Sequence, residues 1–132
     1  MRSKLLIAAA AVLTGCASRS TPDRAAQLED DQLCRLAYDL PRGGIYGHRR
    51  NAIARAEIDR RGLMTAEEWT LAEGQMIQRG MSECALLASW GIPNKVNRSV
   101  GVWGVHKQYV YRGYRLSSYA YVENGRVSGW QN

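Results

Sequence analysis

Phenylalanine is absent from the 132 residues, and histidine occurs only at His48 and His106. A small domain without Phe has to draw on Trp and Tyr for its core, so some of the four tryptophans and seven tyrosines are committed to packing. Two histidines in separate segments leave little for acid–base chemistry. No Gly-x-Ser-x-Gly, His-x-x-x-His or phosphate-loop pattern occurs. Gly101-Val102-Trp103-Gly104 is glycine-rich, but it opens a strand rather than a helix and cannot cradle phosphate. Cys84 and His106 are the one nucleophile–base pair the order of elements permits, and a core cysteine with an exposed histidine accounts for them more simply. The expectation is a protein with no catalytic residues, no cofactor and no metal. Long apolar runs are missing too: Leu5 to Leu13 spans nine residues, against the roughly 20 a membrane-crossing helix requires.

What that apolar run does have is context. Arg2 and Lys4 precede it, and it ends in Leu13-Thr14-Gly15-Cys16. This resembles a bacterial lipoprotein signal peptide closing on its lipobox, with residues 1–15 as the leader and Cys16 as the acylated first mature residue. Each buried methylene contributes about 0.8 kcal/mol, so two or more acyl chains hold a protein at a bilayer essentially permanently. Ala17 follows where inner-membrane retention signals usually carry Asp, and the resemblance therefore implies the periplasmic face of the outer membrane. An ordinary secretory signal with Cys16 incidental is the alternative. Losing Arg2 and Lys4 with the leader lowers the formal charge from +6 to +4. A basic balance suits anionic lipid or nucleic acid, or is simply a solvated surface. Export removes nucleic acid as a partner.

With Cys16 acylated, Cys34 and Cys84 remain as a pair in an oxidising compartment. Two readings stay open. A disulfide would tie two predicted helices together and stabilise by about 4 kcal/mol in the chain-entropy account. Separate burial as two small hydrophobes is the other.

Residues 16–27 follow the anchor, show no periodicity and read as a flexible tether. Residues 28–79 read as a helical segment. Its first helix, Leu28 to Leu40, places Leu33, Leu36, Ala37 and Leu40 on one face, and Glu29, Asp30 and Asp31 in the anion-favouring first turn. Pro41 to Gly44 ends it. Asn51 is the predicted cap of a second helix through Arg61, with Gly62 and Leu63 closing it over Ile58. Thr65 to Glu68 is a capping box, stapled by Met64 and Trp69, for a third helix running towards Arg79, with Trp69, Ala72, Met76 and Ile77 inward. Gly80 is its expected terminator.

Residues 80–132 form the module around which the rest is organised. Ser82 is the N-cap of a short helix with Met81 and Leu86 as staple, Gly91 is its left-handed stop, Ile92 is expected over Leu87, and Pro93 bars continuation. Four β-runs follow: Asn94 to Val102, His106 to Arg112, Leu116 to Glu123 and Arg126 to Trp130. Asn124-Gly125 between the last two is the strongest short hairpin signal a sequence offers. Uninterrupted pairing across it sets Val122 against Val127, Tyr121 against Ser128 and Tyr119 against Trp130. The fold class is α+β, with short helices on one face of a small three- to four-stranded antiparallel sheet.

Gly80-Met81-Ser82, Gly91 and Pro93, the strand Tyr109-Val110-Tyr111, and the run Tyr121, Glu123, Asn124, Gly125, Arg126, Val127 and Trp130 together resemble the C-terminal module of BamE/SmpA-type outer-membrane lipoproteins. The resemblance covers residues 80–132 alone and implies two helices on one face of an antiparallel sheet. It further implies a non-catalytic accessory role in inserting barrel proteins into the outer membrane. Its motifs specify caps and a turn, and they carry no partner-binding residues across. Tyr, Trp and Arg are enriched at interaction hot spots, which marks Trp103, Tyr109, Tyr111, Tyr119, Tyr121, Arg126 and Trp130 as a candidate interaction surface, with plain packing as the alternative. The expected function is a lipid-anchored interaction module with a protein partner in the envelope. The alternative is an inhibitor or exclusion lipoprotein directed at an envelope enzyme or an incoming macromolecule.

Overall fold

A computed structural model describes residues 22–39, 48–113 and 116–132. The protein is α+β: helices α1 (Pro22–Ala26), α2 (Asp30–Leu36, extended by a 3-10 turn at Ala37–Asp39), α3 (His48–Arg60), α4 (Ala66–Glu73) and α5 (Glu83–Trp90) precede strands β1 (Lys95–Gly101), β2 (Gly104–Arg112), β3 (Ser117–Glu123) and β4 (Arg126–Gln131). The strands form one antiparallel sheet in chain order.

Helix α5 lies at the centre. Six of its eight residues, Cys84 to Ser89, are buried without a break, which is the signature of a helix enclosed on all sides. Leu86, Leu87 and Ala88 share one core with Tyr109, Ala120, Val122 and Val127 of the sheet, and with Leu33, Ile58, Met64 and Trp69 of the other helices. Ser89 is the polar exception in this helix, and its hydroxyl donates to the Met76 carbonyl at 2.7 Å.

Local capping chemistry sets most of the helix ends. The Ser82 hydroxyl accepts from the Ala85 N–H at 3.1 Å, as its N-cap role requires. Thr65 and Glu68 form the expected capping box. The Glu68 carboxylate does more than that: it also accepts from the Ser82 N–H at 2.6 Å and thereby ties the start of α4 to the start of α5. At the end of α3, the Leu63 N–H reaches the Ile58 carbonyl at 3.1 Å and the Gly62 N–H reaches Asp59, which is the Schellman pattern.

Four local expectations need correction. Residues 22–26, inside the expected tether, form a one-turn helix, because Arg61 donates to the carbonyls of Ala25, Ala26 and Leu28 and so satisfies the groups α1 leaves open. Leu36 is exposed: Leu33, Cys34 and Ala37 face the core, and at 3.6 residues per turn Leu36 falls about 100° from that face. Helix α3 starts at His48, so Asn51 lies within it rather than capping it. Helix α4 stops at Glu73, because Gln75 takes a left-handed φ of 55° and Met76 bonds back to Leu71 at 2.9 Å; Met76 is thereby left exposed, and Gly80 pairs with β4 instead of ending a helix. Leu40 and the Pro41 to Gly44 stop lie outside the described residues.

The charged side of α3 carries a pH dependence. Glu57 is bonded by Arg60 at 2.7 and 2.8 Å and by Arg61 at 2.7 Å, and these bonds, Arg60 first, hold its carboxyl down at about 2 against an ordinary 4.5. A carboxyl lowered by folding binds its proton less readily in the native chain than in the unfolded one. Its contribution is therefore complete above 4.5 and disappears as pH falls through about 2. Glu57→Gln is expected to melt below the wild type at neutral pH, and the gap is expected to close on acidification across that window. A gap of constant size in a pH series of thermal melts would contradict it.

Candidate interaction surface

The Asn124-Gly125 turn has positive φ at both positions (50° and 79°), as a type I′ hairpin requires, and it sets Glu123 against Arg126 and Val122 against Val127. Beyond this pair the register slips. Ser128 is an extra residue whose hydroxyl donates to the Tyr121 carbonyl, so Tyr121 faces Gly129 and Ala120 faces Trp130. The expected Tyr121–Ser128 and Tyr119–Trp130 pairings are thus wrong by one residue. Because side chains alternate faces, the slip moves Trp130 from the outer face to the helix side, where it sits at the sheet margin, 40% exposed.

The seven aromatic and basic candidates consequently divide. Tyr109 is only 3% exposed, points at α5 and donates its hydroxyl to Glu83. Lys107, on the same face, reaches the same carboxylate at 2.6 Å. Tyr111 lies edge-on to Trp90, with ring centroids 5.4 Å apart, and donates to the Gly91 carbonyl at 3.2 Å. Burial, and then the Glu83 charge, push its hydroxyl well above the usual tyrosine range. Tyr109 and Tyr111 therefore belong to the core, and with them goes the reading that they form an exposed surface. Arg126 anchors the hairpin, donating to the Gly80 carbonyl at 3.3 Å and lying 3.7 Å from Glu68.

Trp103, Tyr119 and Tyr121 remain on the side away from the helices. Trp103 occupies the β1–β2 turn, 59% exposed, with its indole over Gly101 and edge-on to His106 at 6.4 Å. Between these residues runs a polar row that spans all four strands. Asn97 donates to Gln108 at 2.9 Å, Gln108 donates to the Tyr121 hydroxyl at 3.5 Å, and that hydroxyl donates to Gln131 at 3.2 Å. Asn97, Gln108 and Tyr121 of this row line a shallow trough of about 610 Å³. Sequence reasoning passed over Asn97, Gln108 and Gln131; their common face shows only once the three registers are known.

Cys34 and Cys84 are joined in a disulfide, with Cα atoms 4.9 Å apart and 50 positions between them in the chain. This decides between the two readings left open. It also removes Cys84 as a nucleophile, since its sulfur is bonded and His106 lies on the opposite face of the sheet, 3.5 Å from Glu123. Among the described residues no group of three or more His, Cys, Asp or Glu is placed to hold a metal ion. No helix among them is long and apolar enough to cross a membrane. Cys16 and the leader lie outside the described residues.

Set against known proteins, the chain matches no family model, no curated protein and no solved structure.

Proposed function

We propose that this protein is a lipid-anchored, non-catalytic lipoprotein of the bacterial envelope, an interaction module held at the periplasmic face of the outer membrane and accessory to barrel-protein assembly. The observation that carries the reading is the order Arg2 and Lys4, Leu5 to Leu13, and Leu13-Thr14-Gly15-Cys16. Two others support it. A disulfide between α2 and α5 suits an oxidising compartment. The outer sheet face, with Trp103 exposed, Tyr119 and Tyr121 partly exposed, and a trough that Tyr121 lines, suits contact with another macromolecule.

Cys16→Ser is expected to abolish acylation and move the protein from the membrane fraction to the soluble periplasmic fraction. A variant whose leader is cleaved and which still sediments with membranes would sink the anchor. Affinity capture from solubilised membranes tests the role: recovery of barrel-assembly subunits supports it, and a single stoichiometric foreign enzyme points to an inhibitor instead.

A further inference from the structure

Among the described residues the fold covers one edge of the sheet and leaves the other unpaired. Along β4, Gly80 donates to the Val127 carbonyl at 2.8 Å, Val127 donates to Met81 at 2.9 Å, and Glu83 donates to Gly125 at 3.1 Å, so the approach to α5 pairs with the strand. Along β1, residues 95–100 are all exposed. The register shows which backbone groups are free there. Val105 exchanges bonds with Asn124 on the β3 side, so the even-numbered residues of β2 turn their amides towards β1 and bond its odd-numbered ones. Val96, Arg98 and Val100 therefore direct their N–H and C=O groups outward.

Charge selects what can join them. No Asp or Glu occurs from Cys84 to Val122, while Lys95, Arg98, Lys107, Arg112 and Arg115 do. Lys107 is matched by Glu83, whereas Lys95, Arg98 and Arg112 have no carboxylate within ion-pair distance among the described residues. In the helical layer, by contrast, Arg35, Arg55, Arg60 and Arg61 each face an acid. Val96 and Val100, both exposed, flank Arg98 on the helix side of the strand. Below it is a notch of about 270 Å³ walled by Arg98, Val105, Val122 and the Lys107–Glu83 pair, in which the Lys107 ammonium offsets the Glu83 charge, with room for one inward apolar side chain.

We propose that β1 is a docking edge that accepts an extended acidic segment of a partner protein as a fifth strand. Main-chain bonds to Val96, Arg98 and Val100 supply the pairing, and the uncompensated cations choose the partner. A second copy of this chain would bring Lys95 and Arg98 against themselves, which disfavours it. An anionic lipid surface would satisfy the charges but presents no row of donors and acceptors to the edge. The inference rests on the reading of the protein as an interaction module and specifies where the partner sits.

The test uses the full chain purified from membranes in detergent, with a fluorescent peptide alternating Glu and Val as probe and anisotropy as readout. The acidic peptide is expected to bind, and its Lys-for-Glu counterpart is not. Val100→Pro removes one outward N–H and leaves the β1–β2 bonds intact, a substitution edge strands tolerate, and it is expected to weaken binding by about tenfold or more. Arg98→Glu is expected to do the same, and added salt to reduce affinity throughout. A peptide N-methylated at alternate amides needs no variant protein and should fail to bind. Equal binding of the Glu and Lys peptides, or indifference to N-methylation, would overturn the proposal. So would uptake by anionic vesicles with the peptide ignored. Each of these outcomes is separate from the Cys16→Ser fractionation, so an anchored protein that ignores the peptide leaves the anchor reading standing.

Discussion

Cys34→Ala with Cys84→Ala is expected to lower the melting temperature by on the order of 15 °C. The bond joins α2 to α5 across 50 positions, and closing a loop of that length removes about 4 kcal/mol of conformational freedom from the unfolded chain. In a domain of this size each kcal/mol moves the midpoint by about 4 °C. Alanine is the appropriate replacement, because both cysteines are nearly enclosed and a hydroxyl left there would be stranded. The loss should also be uneven. Without the covalent link, α1 and α2 hold to the body through Leu33, Ala37 and the Arg61 bonds, so limited proteolysis should cut within residues 22–39 before it cuts the sheet. An unchanged midpoint would mean that packing alone holds α2 in place, and that the bond constrains nothing the native contacts do not.

Gly91→Val should be nearly as severe, for two separable reasons. Gly91 has φ 85° and ψ −163°, a backbone region essentially confined to glycine, where a side chain adds strain of about 1 to 3 kcal/mol. A Cβ built there would also lie 2.8 Å from the Tyr38 ring, so the ring must shift, at a further cost of about 1 to 3 kcal/mol. A double-mutant cycle with Gly91→Ala and Tyr38→Ala separates the two: the steric part should couple, and the backbone part should persist when the ring is gone. Full additivity in denaturant-unfolding free energies would show that Tyr38 does not confine position 91. The extended ψ explains another departure from expectation. A C-terminal glycine of the usual left-handed kind turns the chain back so that the next hydrophobe covers the helix, but here the chain leaves straight towards β1 and Ile92 stays exposed.

Helix caps and the hairpin were legible because their chemistry is local. Ser82 with Ala85, Thr65 with Glu68, Ile58 with Leu63, and the Asn124-Gly125 turn each involve groups within about five positions, whose geometry the backbone sets before any long-range contact forms. The same reasoning overran where a local signal had a competitor. Met76 and Ile77 continued the apolar spacing of α4, but Gln75 adopts a left-handed turn that frees the Met76 carbonyl to accept from buried Ser89, thirteen positions on. The candidate surface fared worst. Tyr109 and Tyr121 are both strand tyrosines followed directly by a valine, yet one is sealed against Glu83 and the other stands in the outer row.

From the order of residues alone came the α+β class, the four strands in their sequence and the central place of the Glu83–Trp90 helix. Which aromatic faces water, whether Cys34 and Cys84 meet, and how far β4 slips past β3 depended on groups brought together from distant positions. Burial and pairing are properties of the assembled core. A one-residue bulge at Ser128, invisible in any periodicity, is enough to send a tryptophan to the other side of the sheet.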